Sequence, residues 1–404
     1  MKNFAVLLMI LASLLNSGCG QDRNLTESPS GPYAVGTKYL AFVDETRPEI
    51  FTVDDADYRE ITVQVWYPGV QDESVEYADY IEDAAETAPL LNLPEVYETM
   101  KSHSRLDLQL HQKEASYPVL LFNHGWGEHF SQNTGLMEEL ASHGYIVFSI
   151  AHHYECRFSF YPDGRIITFD LDNPSERFRK IMEEQSNPEA LKTFRQMFEA
   201  KTHEEQIAYF RKANELMPTF LKEGARLWAQ DVRFVIDRLE MMNTTPGFFE
   251  GRLNLTKIGV FGMSAGAIAS QQVCLEDERC AAGVSMDGGL YGDSFEGTIS
   301  QPFLFINSRR YVGYERLFLE NLAGPGFVLT IPEADHYNFH EASVFEPAHP
   351  MVGDIDAGRM MEILNVYTLA FFEKYLRGNP SPLLDGTSKD YPEIDFFSKP
   401  QIKK

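Results

Sequence analysis

Apolar residues in this chain fall into short, dense runs separated by stretches of helical period, and eight of these runs read as strands: 39–43, 60–67, 119–123, 145–151, 257–261, 282–286, 303–307 and 327–331. The last six are almost wholly apolar and bounded by Gly, Pro or polar turns, as strands covered on both faces should be. The first two lie close together and predict an antiparallel entry. Helical patterns fall between most of the others, at 135–142, 228–242, 265–274 and 360–375. Alternating strand and helix predicts an α/β fold: an eight-stranded, mostly parallel, doubly wound sheet with helices on both faces.

One segment breaks this rhythm. Residues 173–224 carry no strand signal and read as successive helices. Asn173-Pro174 and Asn187-Pro188 have the form of N-cap and N1 pairs, and Thr202 with Glu205 makes a capping box. Lying between the fourth and fifth strands, the insertion predicts a helical cap, with a decoration on the side of the sheet as the alternative. Phe194, Met197, Phe198, Tyr209, Phe210, Met217, Phe220 and Leu221 recur in it at helical spacing. Before it, Pro162-Asp163-Gly164 separates two short alternating runs within 158–169, which predicts a small hairpin.

Composition narrows the function classes. With 404 residues, 44% of them hydrophobic, the chain can bury a large core. A formal charge of −25 argues against nucleic acid as a partner. Histidines and cysteines are scattered, without C-x-x-C or H-E-x-x-H spacing, so neither a metal nor another cofactor is expected. Residues 1–18 read as a signal peptide: a lysine, an apolar run from Phe4 to Leu15, then small residues before Cys19. The placement of Cys19 suggests a lipoprotein signal with Cys19 as lipid anchor, ordinary secretion being the alternative. Residues 19–36 then form a polar tether, 37–380 the folded domain and 381–404 a C-terminal tail. Export makes a Cys274–Cys280 disulfide plausible, two free thiols being the alternative, and leaves Cys156 without a partner.

The chemistry concentrates at Gly262-Met263-Ser264-Ala265-Gly266, which sits between an apolar strand and a small-residue helix start. A serine hydroxyl becomes a useful nucleophile when a tight strand–turn–helix elbow exposes it beside a base. Asp287 follows the sixth strand and His336 the eighth, the places for an orienting acid and a base. His340 is the rival base and Glu315 the rival acid. Backbone donors for an oxyanion are expected at Ala265 and at Trp126, within the His124-Gly125-Trp126-Gly127 turn after the third strand. His124 is expected to brace that turn, and His152-His153 to pack or line the pocket.

In order along the chain, GPYAVGTKYLAF, ITVQVWYPG, FNHGWGEH, LASHGYIVFSIAHH, VFGMSAGA, AGVSMDGG, QPFLFINS and DHYNF resemble the platelet-activating factor acetylhydrolases, specifically the plasma-type branch of the α/β-hydrolase superfamily near dienelactone-hydrolase-like proteins. The resemblance covers most of 31–376. It implies an α/β-hydrolase fold, a triad at Ser264, Asp287 and His336, oxyanion donors at Trp126 and Ala265, and hydrolysis of short acyl esters of phospholipids or similar small esters. Two departures bear on substrate. The family often has His-Ser-Phe-Gly-Gly at the elbow, where this chain has Met263-Ser264-Ala265-Gly266-Ala267, and the insertion is longer here. A general short-chain carboxylesterase is the alternative enzyme. A catalytically silent scaffold binding a surface ligand is the alternative of another class.

Overall fold

A computed structural model describes residues 28–52, 54, 56–161, 163–168 and 175–399. The expected signal peptide, Cys19 and Asn173-Pro174 lie outside the described residues. Among those described, the strands are β1 (Ala34–Pro48), β2 (Tyr58–Gly69), β3 (Tyr77–Asp79), β4 (Lys101–Leu106), β5 (Tyr117–Asn123), β6 (Ile146–Ala151), β7 (Phe158–Phe160), β8 (Ile166–Thr168), β9 (Leu253–Met263), β10 (Cys280–Met286), β11 (Phe303–Ser308), β12 (Gly326–Ile331) and β13 (Asp395–Lys399). The helices are α1 (Ala84–Leu90), α2 (Thr134–Ser142), α3 (Glu176–Ser186), α4 (Pro188–Glu199), α5 (His203–Leu216), α6 (Gly224–Thr244), α7 (Ala265–Glu276), α8 (Glu315–Glu320) and α9 (Ala357–Phe372).

One sheet runs in the order β13-β12-β11-β10-β9-β5-β6-β2-β1-β4-β3. The six strands from β6 to β12 are mutually parallel, and β2 and β1 enter antiparallel, as expected. The sheet has eleven strands, however, and the expectation of eight is corrected. All eight predicted strands are present. The three additions, β3, β4 and β13, lie at the sheet's edges, where short or amphipathic segments leave little hydrophobic signal. β13 also corrects the reading of 381–404 as a tail, because it pairs antiparallel with β12. At the other end the polar tether stops early: Ser30 bonds Glu139, and β1 begins at Ala34. The expected hairpin forms from β7 and β8.

Period-two alternation decides which face each strand residue serves. In β5, Val119 and Leu121 face one core with α6 and α7, while Leu120 and Phe122 face the other with α2 and α9. Covering both faces leaves the C-terminal ends of the parallel strands as the exposed rim, where loops can converge. The insertion is helical throughout its described part. Asn187 accepts from the amides of Glu189 (2.8 Å) and Ala190 (3.4 Å) at the start of α4. Thr202 and Glu205 form the expected capping box of α5. Phe210 stacks on Phe295 and packs on Tyr291, which docks the cap on the loops after β10. A π-helical turn, Pro218–Glu223, then leads into α6. Cys274 and Cys280 are joined in a disulfide, and Cys156 is buried and unpaired.

Candidate active site

The elbow is built by a close approach of backbones. A Cβ at Gly262 would lie 2.4 Å from the carbonyl of Gly266, and one at Gly266 would lie 2.0 Å from the carbonyl oxygen of Asn123. Only glycine lets β9, β5 and α7 meet there. Ser264, between β9 and α7, is thereby forced to φ 56° and ψ −118°, a strained conformation of about 1–3 kcal/mol that the surrounding packing enforces. Its amide is held by the carbonyl of Met286 at 2.9 Å.

Asp287, just past β10, also takes a positive φ of 51°. Its Oδ1 accepts from the Ser308 amide at 2.8 Å, and its Oδ2 accepts from His336 Nδ1 at 2.5 Å. Ser264 Oγ in turn donates to His336 Nε2 at 3.0 Å. Burial pushes the Asp287 carboxyl up, but the hydrogen bond and charge of His336 outweigh it and hold the carboxyl below the usual range. With Nδ1 facing a carboxylate, the free imidazole has Nε2 available to take the serine proton. The structure therefore brings the three residues expected from sequence into one hydrogen-bonded line.

The hydrogen bonds of the two rivals go elsewhere. His340 is engaged through both nitrogens, with Glu128 at 2.9 Å and the Ala342 amide at 2.8 Å. Glu315 accepts from the Gly313 amide. Asp335, the sequence neighbour of His336, accepts from Arg309 and Arg310 and caps the turn that carries His336.

The turn after β5 is held from three sides. The Gly125 amide donates to Gln132 Oε1 at 2.7 Å, and the Gly127 amide donates to the Glu155 carbonyl at 2.9 Å. His124 Nε2 accepts from the His152 amide at 3.1 Å, so Nδ1 carries the proton and donates to the Gly125 carbonyl at 2.7 Å. Burial, with the charge of His152 next, drops the His124 pKa to about 3, which keeps the ring neutral. His124 is thus a brace, in agreement with the sequence reading. His152 and His153 line neither cavity at Ser264. His152 stacks on Trp228 and bonds Asp231, and His153 bonds Thr62 and Tyr161. Ala265 opens α7, where amides have no intrahelical acceptor.

Ser264 and His336 lie between two cavities. One, of about 120 Å³, is lined by Trp126, Met263, Glu128, Arg157, His340 and Glu346. The other, of about 970 Å³, lies beneath the cap against Phe194, Phe198, Met217, Phe220, Ile268 and Tyr291. Gln132, Glu155 and Arg157 were not singled out from sequence. Each acts through a fold-dependent contact, and only Glu155 and Arg157 carried a cue, in following directly on the His152-His153 strand end.

Residues 19–380 match the family described as platelet-activating factor acetylhydrolase, isoform II. The platelet-activating factor acetylhydrolase of Bos taurus is 23% identical over 292 residues, which is 69% of this chain and 60% of the relative. That of Cavia porcellus is 25% identical over 272 residues, 64% of this chain and 58% of the relative. The matches thus span about three fifths of the length of these curated relatives. Among solved structures, a ferulic acid esterase from Streptomyces cinnamoneus superposes with a TM-score of 0.70 at 26% identity, covering 92% of this chain and 98% of that one.

Proposed function

The chain belongs to the platelet-activating factor acetylhydrolase, isoform II, family, and on that premise we propose that it is an exported serine ester hydrolase acting on short acyl esters. The observation that carries this reading is the Ser264–His336–Asp287 line, with bonds of 3.0 and 2.5 Å at the mouth of two cavities. In the proposed reaction His336 Nε2 takes the Ser264 proton as Oγ attacks the ester carbonyl. The amides of Trp126 and Ala265 stabilise the oxyanion, and His336 returns the proton to the leaving alcohol. Water, activated by the same histidine, then releases the acid from the acyl-enzyme.

The unequal cavities support a short acyl group in the space of about 120 Å³ and a bulkier alcohol beneath the cap in the space of about 970 Å³. A bulky alcohol such as that of a glycerophospholipid is proposed for that larger space. The aromatic lining of the same cavity and the esterase neighbour favour aryl esters as a second reading. Export is supported by the signal-like residues 1–18 and by the Cys274–Cys280 disulfide. Among the described residues no helix is long and apolar enough to cross a membrane, so membrane attachment in this proposal rests on Cys19. Cys19→Ala protein should leave the membrane fraction, and its retention there would refute the anchor.

Hydrolysis of p-nitrophenyl acetate by the purified protein, abolished in Ser264→Ala, tests the core of the reading. No turnover by the wild type on acetate, butyrate or phospholipid esters would leave the silent scaffold in its place.

A further inference from the structure

Among the described residues, the cap meets the turn after β5 at the Trp126 side chain. The Trp126 indole stacks on Phe178 of α3 (centroids 5.9 Å apart, planes at 22°) and meets Phe220 of the π-helical turn edge-on at 5.6 Å. Behind it, Trp126 and Ala265 share with Phe220, Leu221 and Ala225 a narrow gap of about 10 Å³. The cap therefore packs closely against Trp126.

The body of the protein fixes the tilt of this turn. The Gly125 carbonyl accepts from His124 Nδ1 and from the Glu128 amide, which orients the peptide whose N–H belongs to Trp126. Trp126 is flanked by Gly125 and Gly127, the latter at φ 78°, so main-chain bonds hold the turn on either side and the indole is the large side chain through which packing also acts on it. The start of α3 grips the turn a second time: Arg177 bonds the Thr219 carbonyl and lies 3.5 Å from the Glu155 carboxylate, and the Glu155 carbonyl holds Gly127.

We propose that the cap sets the oxyanion hole, with Phe178 and Phe220 as positioning residues that clamp Trp126 at working distance from Ser264. This rests on the reading of Trp126 as an oxyanion donor. An oxyanion donor is worth about 10²–10³ in kcat, and a misplacement near 1 Å can cost about 10². Loss of the clamp therefore acts on turnover, although Phe178 lines neither cavity.

The test compares kcat and KM for p-nitrophenyl acetate in Phe178→Ala, Phe178→Tyr and Phe198→Ala. Phe198 is also a cap aromatic and lines the large cavity, but it packs on Tyr311 and Phe194 rather than on Trp126. Phe178→Ala should lower kcat about tenfold or more with KM within about twofold, Phe178→Tyr should restore it, and Phe198→Ala should move KM while sparing kcat. Should Phe178→Ala fail to fold, Phe178→Leu, which keeps bulk without the ring, is read in its place. A kcat unchanged in Phe178→Ala, a loss confined to KM, or an equal kcat loss in Phe198→Ala overturns the clamp. A second readout does not need activity. Trp66 and Trp228 are buried, so of three tryptophans only Trp126 should be accessible to acrylamide. Quenching should rise in Phe178→Ala, and unchanged quenching counts against the clamp. A wild type inactive on esters but quenched as expected would remove the hydrolase reading while keeping the contact.

Discussion

At the sheet edge, Ser264, Asp287 and His336 each sit where a parallel strand ends, and backbone constraints fix them: glycine-only contacts at the elbow, positive φ at two of the three, and buried bonds to main-chain amides. Across the cavity, the cap is three helices of 11, 12 and 14 residues, joined by short capped turns and docked by aromatic faces. The first region owes its geometry to many short-range covalent and hydrogen-bond restraints, so its atoms have few alternatives. The second owes its placement to apolar contacts, which are strong in sum but weakly directional. The sheet edge can therefore hold chemistry closely, while the cap shapes what enters and reaches the proposed oxyanion turn through Phe178 and Phe220 on Trp126.

That contrast breaks most sharply at Ser264, the proposed nucleophile. Ser264→Ala should lower kcat on p-nitrophenyl acetate by about 10⁴ or more with little change in melting temperature. Asp287→Ala should follow somewhat below it; near wild-type turnover there would take the acid role away from Asp287.

A second test strains the body beneath the sheet edge. Glu341 is buried, accepting from the Tyr80 hydroxyl (2.9 Å) and the Gly135 amide (2.5 Å), and burial holds its carboxyl up at about 8. Its folded value lies above the ordinary 4.5, so the stability it contributes is complete below about pH 4.5 and is lost as pH rises through 8. Glu341→Gln should flatten the fall in urea stability between pH 5 and 9, by about 4 kcal/mol at the alkaline end. An unchanged slope would show that this carboxyl does not titrate with folding.

Cap changes should alter selection. In the wild type, kcat/KM should decline as the acyl chain lengthens from acetate to octanoate. Phe194→Ala, which enlarges the cavity beneath the cap, should improve turnover of esters with bulky alcohols by about tenfold over small ones. An improvement for long acyl chains instead would reverse the assignment of the two cavities. The smallest effect belongs to the helix ends: Asn187→Ala should cost about 1 kcal/mol of stability with kcat unaltered, measured by denaturation and assay side by side.

Much of the sheet edge was legible in sequence because its determinants are local. The glycines around Ser264 answer to backbone clearance within a few residues, and apolar runs at fixed intervals reveal strands that are buried on both faces. From the order of those strands the places of Asp287 and His336 follow. The helical nature of the insertion was equally legible, since caps such as Asn187 and Thr202 write helix starts into three or four adjacent residues. The edge strands β3, β4 and β13 were not. They are short or half solvated, and their pairing partners, not their own composition, make them strands.

Sequence by itself thus determined the fold class and singled out Ser264, Asp287 and His336 as the proposed triad, because each depends on short-range sterics or on chain order. Tertiary structure alone decided that His152 braces the body through Asp231 instead of lining the site, that Gln132 and Glu155 hold the turn after β5, and that Phe178 of the cap lies on Trp126. Those contacts join residues up to 79 positions apart. No periodicity in the chain records them, since a buried aromatic or carboxylate has the same local pattern whichever distant surface it meets.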